Sequence, residues 1–211
     1  MMARYEKGHK ADTHRRVVEI AARRFRSDGI DGVGVASLMA DAGLTHGGFY
    51  AHFASKEALV KEALIAAVAS SSALAQDEAA APFDLRAYID AYLSPVHRDK
   101  AATGCALAAL APEIARRPRV TRTAFGKTAR RLVERIASGL PDGGSPDERL
   151  AAAYGVFAQL MGALQLARLV LDKDLSDELL AVGRANALRL ASLDSQDEAE
   201  ARSIRRKLKK H

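Results

Sequence analysis

Between residues 35 and 75 three helix-forming stretches follow one another with almost no chain left over for connections. The first covers 35–42, the second 45–53, and the third runs from Ser55 to about residue 75. Gly43 separates the first two, and a turn that tight favours a residue free to adopt positive φ. Thr45 and Ser55 stand where N-caps belong, and Glu57 in the next turn complements a helix dipole. Leu38 and Met39 give the first short helix an inward apolar face, and Leu44 and Phe49 anchor the second from beneath. Thr45, His46, Gly47, Gly48 and Tyr50 are left to face outward. Two short helices set at a steep angle on an apolar base leave little choice of architecture.

An amphipathic helix leads into this arrangement. From Asp12 onward Val17, Ile20, Ala21 and Phe25 recur at three-to-four spacing, with Arg15, Arg16, Glu19, Arg23, Arg24 and Arg26 on the other face. Ser27-Asp28-Gly29 stops it, Gly29 suiting the left-handed position after a helix. The Ser55 helix, with Leu59, Val60, Ala63, Leu64 and Ala67, is long for a small module and is expected to link two bodies. A polar, alanine-rich break follows at 76–82. Five further helices are expected at about 84–96, 103–116, 120–140, 146–171 and 176–193, interrupted by Gly, Pro, Asp and Ser. Alanine and leucine supply much of the 48 % apolar content, Trp is absent, and no stretch alternates like a strand. The chain reads as all-α. Its expected parts are a three-helix helix-turn-helix module over 1–56, a larger helical-bundle body over 57–195, and a charged, disordered tail over 196–211.

Net charge is +6, from 32 Lys+Arg against 26 Asp+Glu, a modest excess that suits a polyanion partner. Its distribution says more: four of the six histidines (His9, His14, His46, His52) lie near Arg4, Lys7, Lys10, Arg15 and Arg16. A second basic cluster closes the chain, and reads as a solvated end. No apolar run approaches the ~20 residues that span a bilayer, and no secretory leader is visible. A single cysteine, Cys105, agrees with a reducing cytoplasm.

The stretch from Asp12 to Ala63 resembles the TetR family of transcription regulators. After the opening helix comes ASLMADAGLTHGGFYAHFASKEAL, and GLTHGGFYAHFASKEALV is similar to the family's signature over the recognition helix and the start of the next helix. The resemblance implies a regulator, not an enzyme, that places its second short helix in a DNA major groove. It assigns Thr45 to a phosphate or base edge, His46 to base edges, Tyr50 and His52 to phosphate or sugar, and Lys56 to a phosphate. Gly47 and Gly48 let the backbone approach the duplex, at a cost of roughly 1 kcal/mol each in helix propensity. Arg4, Lys7 and Lys10 form a basic arm suited to backbone or minor-groove contacts. Two residues depart from the family's pattern: Gly34 replaces a capping Thr, and Met39 replaces a small residue.

Family members pair their bodies so that two recognition helices reach successive major grooves, about 34–36 Å apart, on a palindromic operator. The resemblance therefore implies a homodimer on double-stranded DNA, without a membrane role. The 146–171 helix is apolar around most of its girth, so Tyr154, Leu160 and Leu164, with Leu179 and Leu180 of the last helix, are candidates for an interface. An intrachain core accounts for the same residues. A small-molecule effector is expected in the body, with Tyr88, Tyr92, Cys105, Phe125, Phe157, Met161 and Gln165 as candidate lining; such a stripe is also ordinary core. Around Cys105 the run GCALAAL resembles the segment carrying the reactive cysteine in NemR-like, electrophile-sensing members, so a thiol sensor and an inert packed cysteine both stay open. Arg116, Arg117, Arg119, Arg122, Lys127, Arg130, Arg131 and Arg135 form a basic belt, either a solubilising face or a second nucleic-acid surface. No metal-ligand spacing, phosphate-cradling loop or nucleophile–base pair points to a cofactor or to catalysis. An enzyme with a DNA-binding-like head, and an architectural DNA-binding protein without ligand control, are the competing classes.

Overall fold

A computed structural model describes residues 2–70 and 83–192, with side chains from residue 9 onward. Among the described residues every regular element is helical. In order they are α1 (Met2–Asp28), α2 (Val35–Asp41), a 3-10 helix (His46–Ala51), α3 (Lys56–Ala69), α4 (Leu85–Tyr92), α5 (Pro95–Asp99), a 3-10 turn (Ala101–Thr103), α6 (Ala106–Ala115), α7 (Arg119–Ser138), α8 (Pro146–Leu169) and α9 (Lys173–Leu190). The 76–82 break and the 196–211 tail lie outside the described residues.

Local chemistry explains where these elements depart from the periodic pattern. The expected arm is helical, because α1 extends back to Met2. The expected 84–96 helix is two helices. Pro95 has no N–H to continue α4 and instead opens α5, while Ser94 Oγ accepts from the His97 N–H at 3.2 Å. Gly104 is extended (ψ −167), so α6 starts at Ala106, with Cys105 as its N-cap. The last helix starts early because Asp172 accepts from the backbone N–H of Asp174 (2.9 Å) and Leu175 (3.1 Å). A capping box between Ser145 and Glu148, with Pro146 in the first turn, opens α8.

The chain forms two compact units, one within Met1–Ala75 and Lys100–Arg130, the other within Gln76–Asp99 and Arg131–His211. In the first, α1 packs most extensively on α3. Val17, Ala21 and Phe25 from α1, and Leu59, Val60, Ala63 and Leu64 from α3, are almost wholly buried. A large apolar side chain buried so fully stabilises the fold by about 1.5–3 kcal/mol. Arg26 is buried as well, donating to the carbonyls of Ala102 (2.7 Å) and Ala67 (3.5 Å). The first unit thus contains the helix-turn-helix module and the α6 segment.

In the second unit α8 and α9 make the most extensive helix pair. Gly183 is needed for it, since a Cβ there would stand 2.4 Å from that of Ala163. Arg98 ties α5 to the start of α9. Its side chain is buried and donates to Ser176 Oγ at 2.9 Å and to the carboxylates of Asp99 and Asp177. That contact, followed by one from Lys173, holds the Asp99 carboxyl down to about 2.

By length and composition α8 could cross a membrane. A search for continuous apolar runs misses it because Gly155, Gln159, Gly162 and Gln165 interrupt the sequence. Val156, Phe157, Leu160 and Leu164 are instead buried, as in the core helix of a globular body.

Candidate nucleic-acid interface

The turn after α2 is held by its own backbone. The Gly43 N–H donates to Ala40 O (2.9 Å) and the Leu44 N–H to Met39 O (2.8 Å), with Gly43 at φ +70. A residue bearing a Cβ is strained there. Gly34 caps α2 with no side-chain bond, as the missing Thr implies, and Ser37 Oγ donates back to Gly34 O at 2.8 Å. Met39 is accommodated at full burial.

The second short helix is a 3-10 helix and not the α-helix expected over 45–53. Two adjacent glycines weaken α-helical propensity, and a short tight helix is where 3-10 geometry is tolerated. Phe49 is buried beneath it, with Phe53 just beyond its end, their rings stacked at 5.4 Å. Thr45, His46, Gly47 and Tyr50 are exposed, Tyr50 to 69 %. The structure therefore gathers these four on one outward face, with the His46 and Tyr50 rings edge-on at 6.4 Å. Thr45 occupies the N-cap position but makes no cap bond, leaving its hydroxyl free to meet a ligand. Gly48 is half-buried.

His52 and Lys56 are placed differently. Lys56 opens α3, half-buried, beside the Ser55 cap that accepts from the Ala58 N–H at 3.1 Å. His52 is half-buried, with Nδ1 enclosed and without a hydrogen-bond partner. Burial, then the neighbouring His14 and Lys10, pushes its pKa below the ordinary histidine value. His14 of α1 stacks on Phe53 at 4.3 Å and has Nε2 2.6 Å from Glu62 Oε2, bracing the base of the outward face. Arg4 and Lys7 lie on the first turns of α1; their side chains fall outside the described residues.

A second set of contacts, invisible to local sequence reading, fastens this module from α6, α7 and the turn between them. Glu113 accepts from the backbone N–H of Ile30 at 2.8 Å. Arg117 pairs with Asp31 and lies 3.7 Å from Glu57, and Thr121 donates to Glu57 at 2.6 Å. Hydrogen bonding from Arg117 is the main influence lowering the Asp31 pKa, with Lys56 and Arg116 also acting on that carboxylate.

The candidate lining of an effector site is only partly gathered. Tyr88, Tyr92 and Phe157 are buried in one aromatic cluster of the second unit, with Tyr88–Tyr92 at 5.7 Å and Tyr92–Phe157 at 6.4 Å. Met161 is half-buried and Gln165 is exposed. Cys105, half-buried, and Phe125, buried, belong to the first unit. An open cleft of about 290 Å³, bordered by Leu140, Pro141, Arg149, Ala152 and Leu190, contains none of these residues. Of the candidate interface residues Leu160, Leu164 and Leu180 are buried inside the single chain, Leu179 is half-buried, and Tyr154 is 48 % exposed.

Residues 17–63, the span of this site, match the family model described as bacterial regulatory proteins, tetR family. Those residues thus form a DNA-binding module of the TetR type. The fold agrees. NemR of Escherichia coli in its reduced form aligns with a TM-score of 0.63 at 22 % identity, covering 83 % of this chain and 95 % of that one. A TetR regulator from Chloroflexus aurantiacus aligns with 0.64 at 22 %, covering 89 % and 96 %. One from Cytophaga hutchinsonii aligns with 0.61 at 20 %, covering 87 % and 95 %. At these identities the likeness concerns the fold of the TetR regulator. No curated protein matches the chain.

Proposed function

We propose that the protein is a TetR-family repressor that binds a palindromic operator as a homodimer and leaves it when a small molecule occupies the helical body. The observation that carries the reading is the outward face of Thr45, His46, Gly47 and Tyr50 over a buried Phe49. It combines base-reading and phosphate-binding groups on a braced support. In this reading residues 1–56 hold the DNA, 57–195 hold the effector and the partner protomer, and 196–211 are a charged tail. His52 acts by positioning its neighbours and Lys56 takes a phosphate, while Arg4 and Lys7 extend the contact along the backbone. The cytoplasm, where DNA and effector meet, is its compartment.

Dimer formation is supported by apolar side chains that the single chain leaves uncovered. Tyr154, Leu166 and Leu169 on α8, and Leu175 and Val182 on α9, are each at least 45 % exposed. Two such helix pairs would join as a four-helix bundle.

A second reading has a specific observation behind it. Cys105 caps α6 half-buried, with the guanidinium of Arg26 in electrostatic contact. Release by an electrophile at Cys105 is thus an alternative to release by a reversible ligand. A Cys105→Ser protein that responds to thiol-reactive compounds as wild type does would exclude it.

The test of the main reading is selection of duplexes from a random pool, followed by a salt-dependent mobility shift on the selected sequence. The expected result is a palindromic consensus bound by two protomers, with preference for it lost in His46→Ala and Tyr50→Ala. Recovery of no consensus, or binding indifferent to both substitutions, would overturn it.

A further inference from the structure

We propose that Arg116, Arg119 and Arg122, at the corner between α6 and α7, extend the DNA contact to backbone phosphates flanking the operator core. The proposal rests on the reading that the 45–50 face binds DNA.

Its starting point is where the corner sits. Arg117 pairs with Asp31 and approaches Glu57, and Thr121 donates to Glu57 at 2.6 Å, so the corner is seated on the first turn of α3. Lys56, the expected phosphate ligand, belongs to that same turn. The charges of Lys56 and Arg116 both favour the ionised Asp31 carboxylate, after the hydrogen bond from Arg117. A surface that carries phosphate contacts at Lys56 therefore continues onto the corner.

The arginines there divide into two kinds. Arg117 is half-buried and committed to Asp31 and Glu57. Arg116, Arg119 and Arg122 are exposed and make no hydrogen bond or ion pair among the described residues. The nearby acids do not explain them, because Arg117 and Thr121 already engage those acids. Folding does not explain them either: the first turn of α7 has no acidic residue, and cations near a helix N-terminus work against its dipole. Three exposed guanidiniums, none of them hydrogen-bonded or ion-paired to an acid among the described residues, fit the duplex backbone, which presents regularly spaced phosphates that arginine binds bidentately. Continuity with the candidate recognition face favours DNA over an acidic protein.

The experiment uses the full chain and the duplex recovered by selection, prepared with the core alone and with longer flanks of arbitrary sequence. Affinity is measured over a salt series for wild type, R116Q/R119Q/R122Q, R116K/R119K/R122K and K127Q. Lys127 lies about 12 Å beyond Arg119 along α7, at 1.5 Å per residue, and serves as a charge control. Wild type and K127Q should gain affinity on the longer duplex. The Gln triple variant should lose that gain, with a salt slope shallower by about 0.9 for each phosphate contact removed, yet keep its preference for the core over a scrambled one. The Lys triple variant should recover most of the slope, showing that lost charge and not misfolding is responsible. An unchanged flank gain and slope in the Gln triple variant overturns the inference and leaves the proposed function standing. A slope lost equally in K127Q overturns it in favour of a diffuse basic field. Failure of wild type to select any duplex removes the proposed function and the inference together.

Discussion

The carboxylate of Glu113, near the end of α6, accepts the backbone N–H of Ile30 at 2.8 Å across 83 residues of sequence. It also faces the Asp31 N–H at 3.4 Å and packs over Gly29, whose positive φ turns the chain out of α1. With Arg117 on Asp31 and Thr121 on Glu57, three side chains from α6, α7 and the turn between them fix the linker before α2 and the start of α3. The recognition face is therefore oriented from outside the module that carries it. An effector that shifts α6 would act on the face through these groups, since coupling needs a physical element with two arrangements.

Glu113→Ala should remove a charge-assisted bond and leave the Ile30 N–H without its acceptor. A loss of about 1–3 kcal/mol is expected for such a change. At roughly 2–4 °C per kcal/mol for a chain of this size, thermal unfolding should register it as several degrees. Glu113→Gln keeps an acceptor oxygen and should lose less. Equal stability in all three proteins would show that the contact does not hold the linker.

Gly47 separates a folding requirement from a binding one. A Cβ at this position meets nothing within 4 Å, and its φ is not in the left-handed region, whereas Gly43 is at φ +70. Gly43→Ala should destabilise by about 1 kcal/mol through backbone strain alone. Gly47→Ala should leave stability unchanged or raise it by up to about 1 kcal/mol, yet weaken operator binding, because the added methyl stands on the outward face. Denaturant unfolding and a mobility shift on the same samples separate the two effects. Undiminished operator affinity in Gly47→Ala would remove the case for close backbone approach.

These contrasts show what was legible in the sequence. The turn at Gly43, the buried Phe49 and the exposed His46 and Tyr50 follow from residues a few positions apart, where periodicity and turn chemistry act directly. Helix ends were legible where a cap is local, as at Ser55 and Ser145. They shifted where a single residue overrides periodicity, as Pro95 splits one helix and Asp172 starts another three residues early. The α-helix expected over the Gly47-Gly48 pair tightened into a 3-10 helix for the same local reason. The clamp of Glu113, Arg117 and Thr121 left no signal, since its partners are more than sixty residues away. Nor does apolar periodicity distinguish Leu160 and Leu164, buried within the chain, from Leu166 and Leu169, left at its surface. Both sets satisfy a helix that is apolar around its girth.

His97 gives the second unit a pH dependence. Burial is the main influence pushing its pKa below the ordinary value of 6.5, partly opposed by a 2.7 Å hydrogen bond to Tyr92 O, while Arg168 pushes the same way as burial. The folded protein then binds fewer protons than the unfolded chain just below that value, so stability rises with pH there. The contribution is complete above about pH 6.5 and is lost as pH falls through the lowered folded pKa. Midpoints of urea unfolding should therefore fall between pH 7 and pH 5, and His97→Asn should flatten part of that fall. His52, shifted in the same direction, should account for some of the remainder. A midpoint that does not move in wild type would contradict the burial of both rings.

The exposed apolar stripe decides whether the body pairs. Leu166 and Val182 are each 52 % exposed, whereas Leu160 and Leu180 are enclosed by their own chain. A charge placed on the first pair should cost nothing in a monomer but must be desolvated in an interface, at several kcal/mol for an unpaired charge. Leu166→Glu/Val182→Glu should therefore sediment as a folded monomer, while Leu160→Ala should lose about 2–5 kcal/mol of stability from a core cavity. Operator affinity should collapse in the first variant, since two half-sites are then no longer bound as one unit. A double variant that remains dimeric would move the interface to another face of the body.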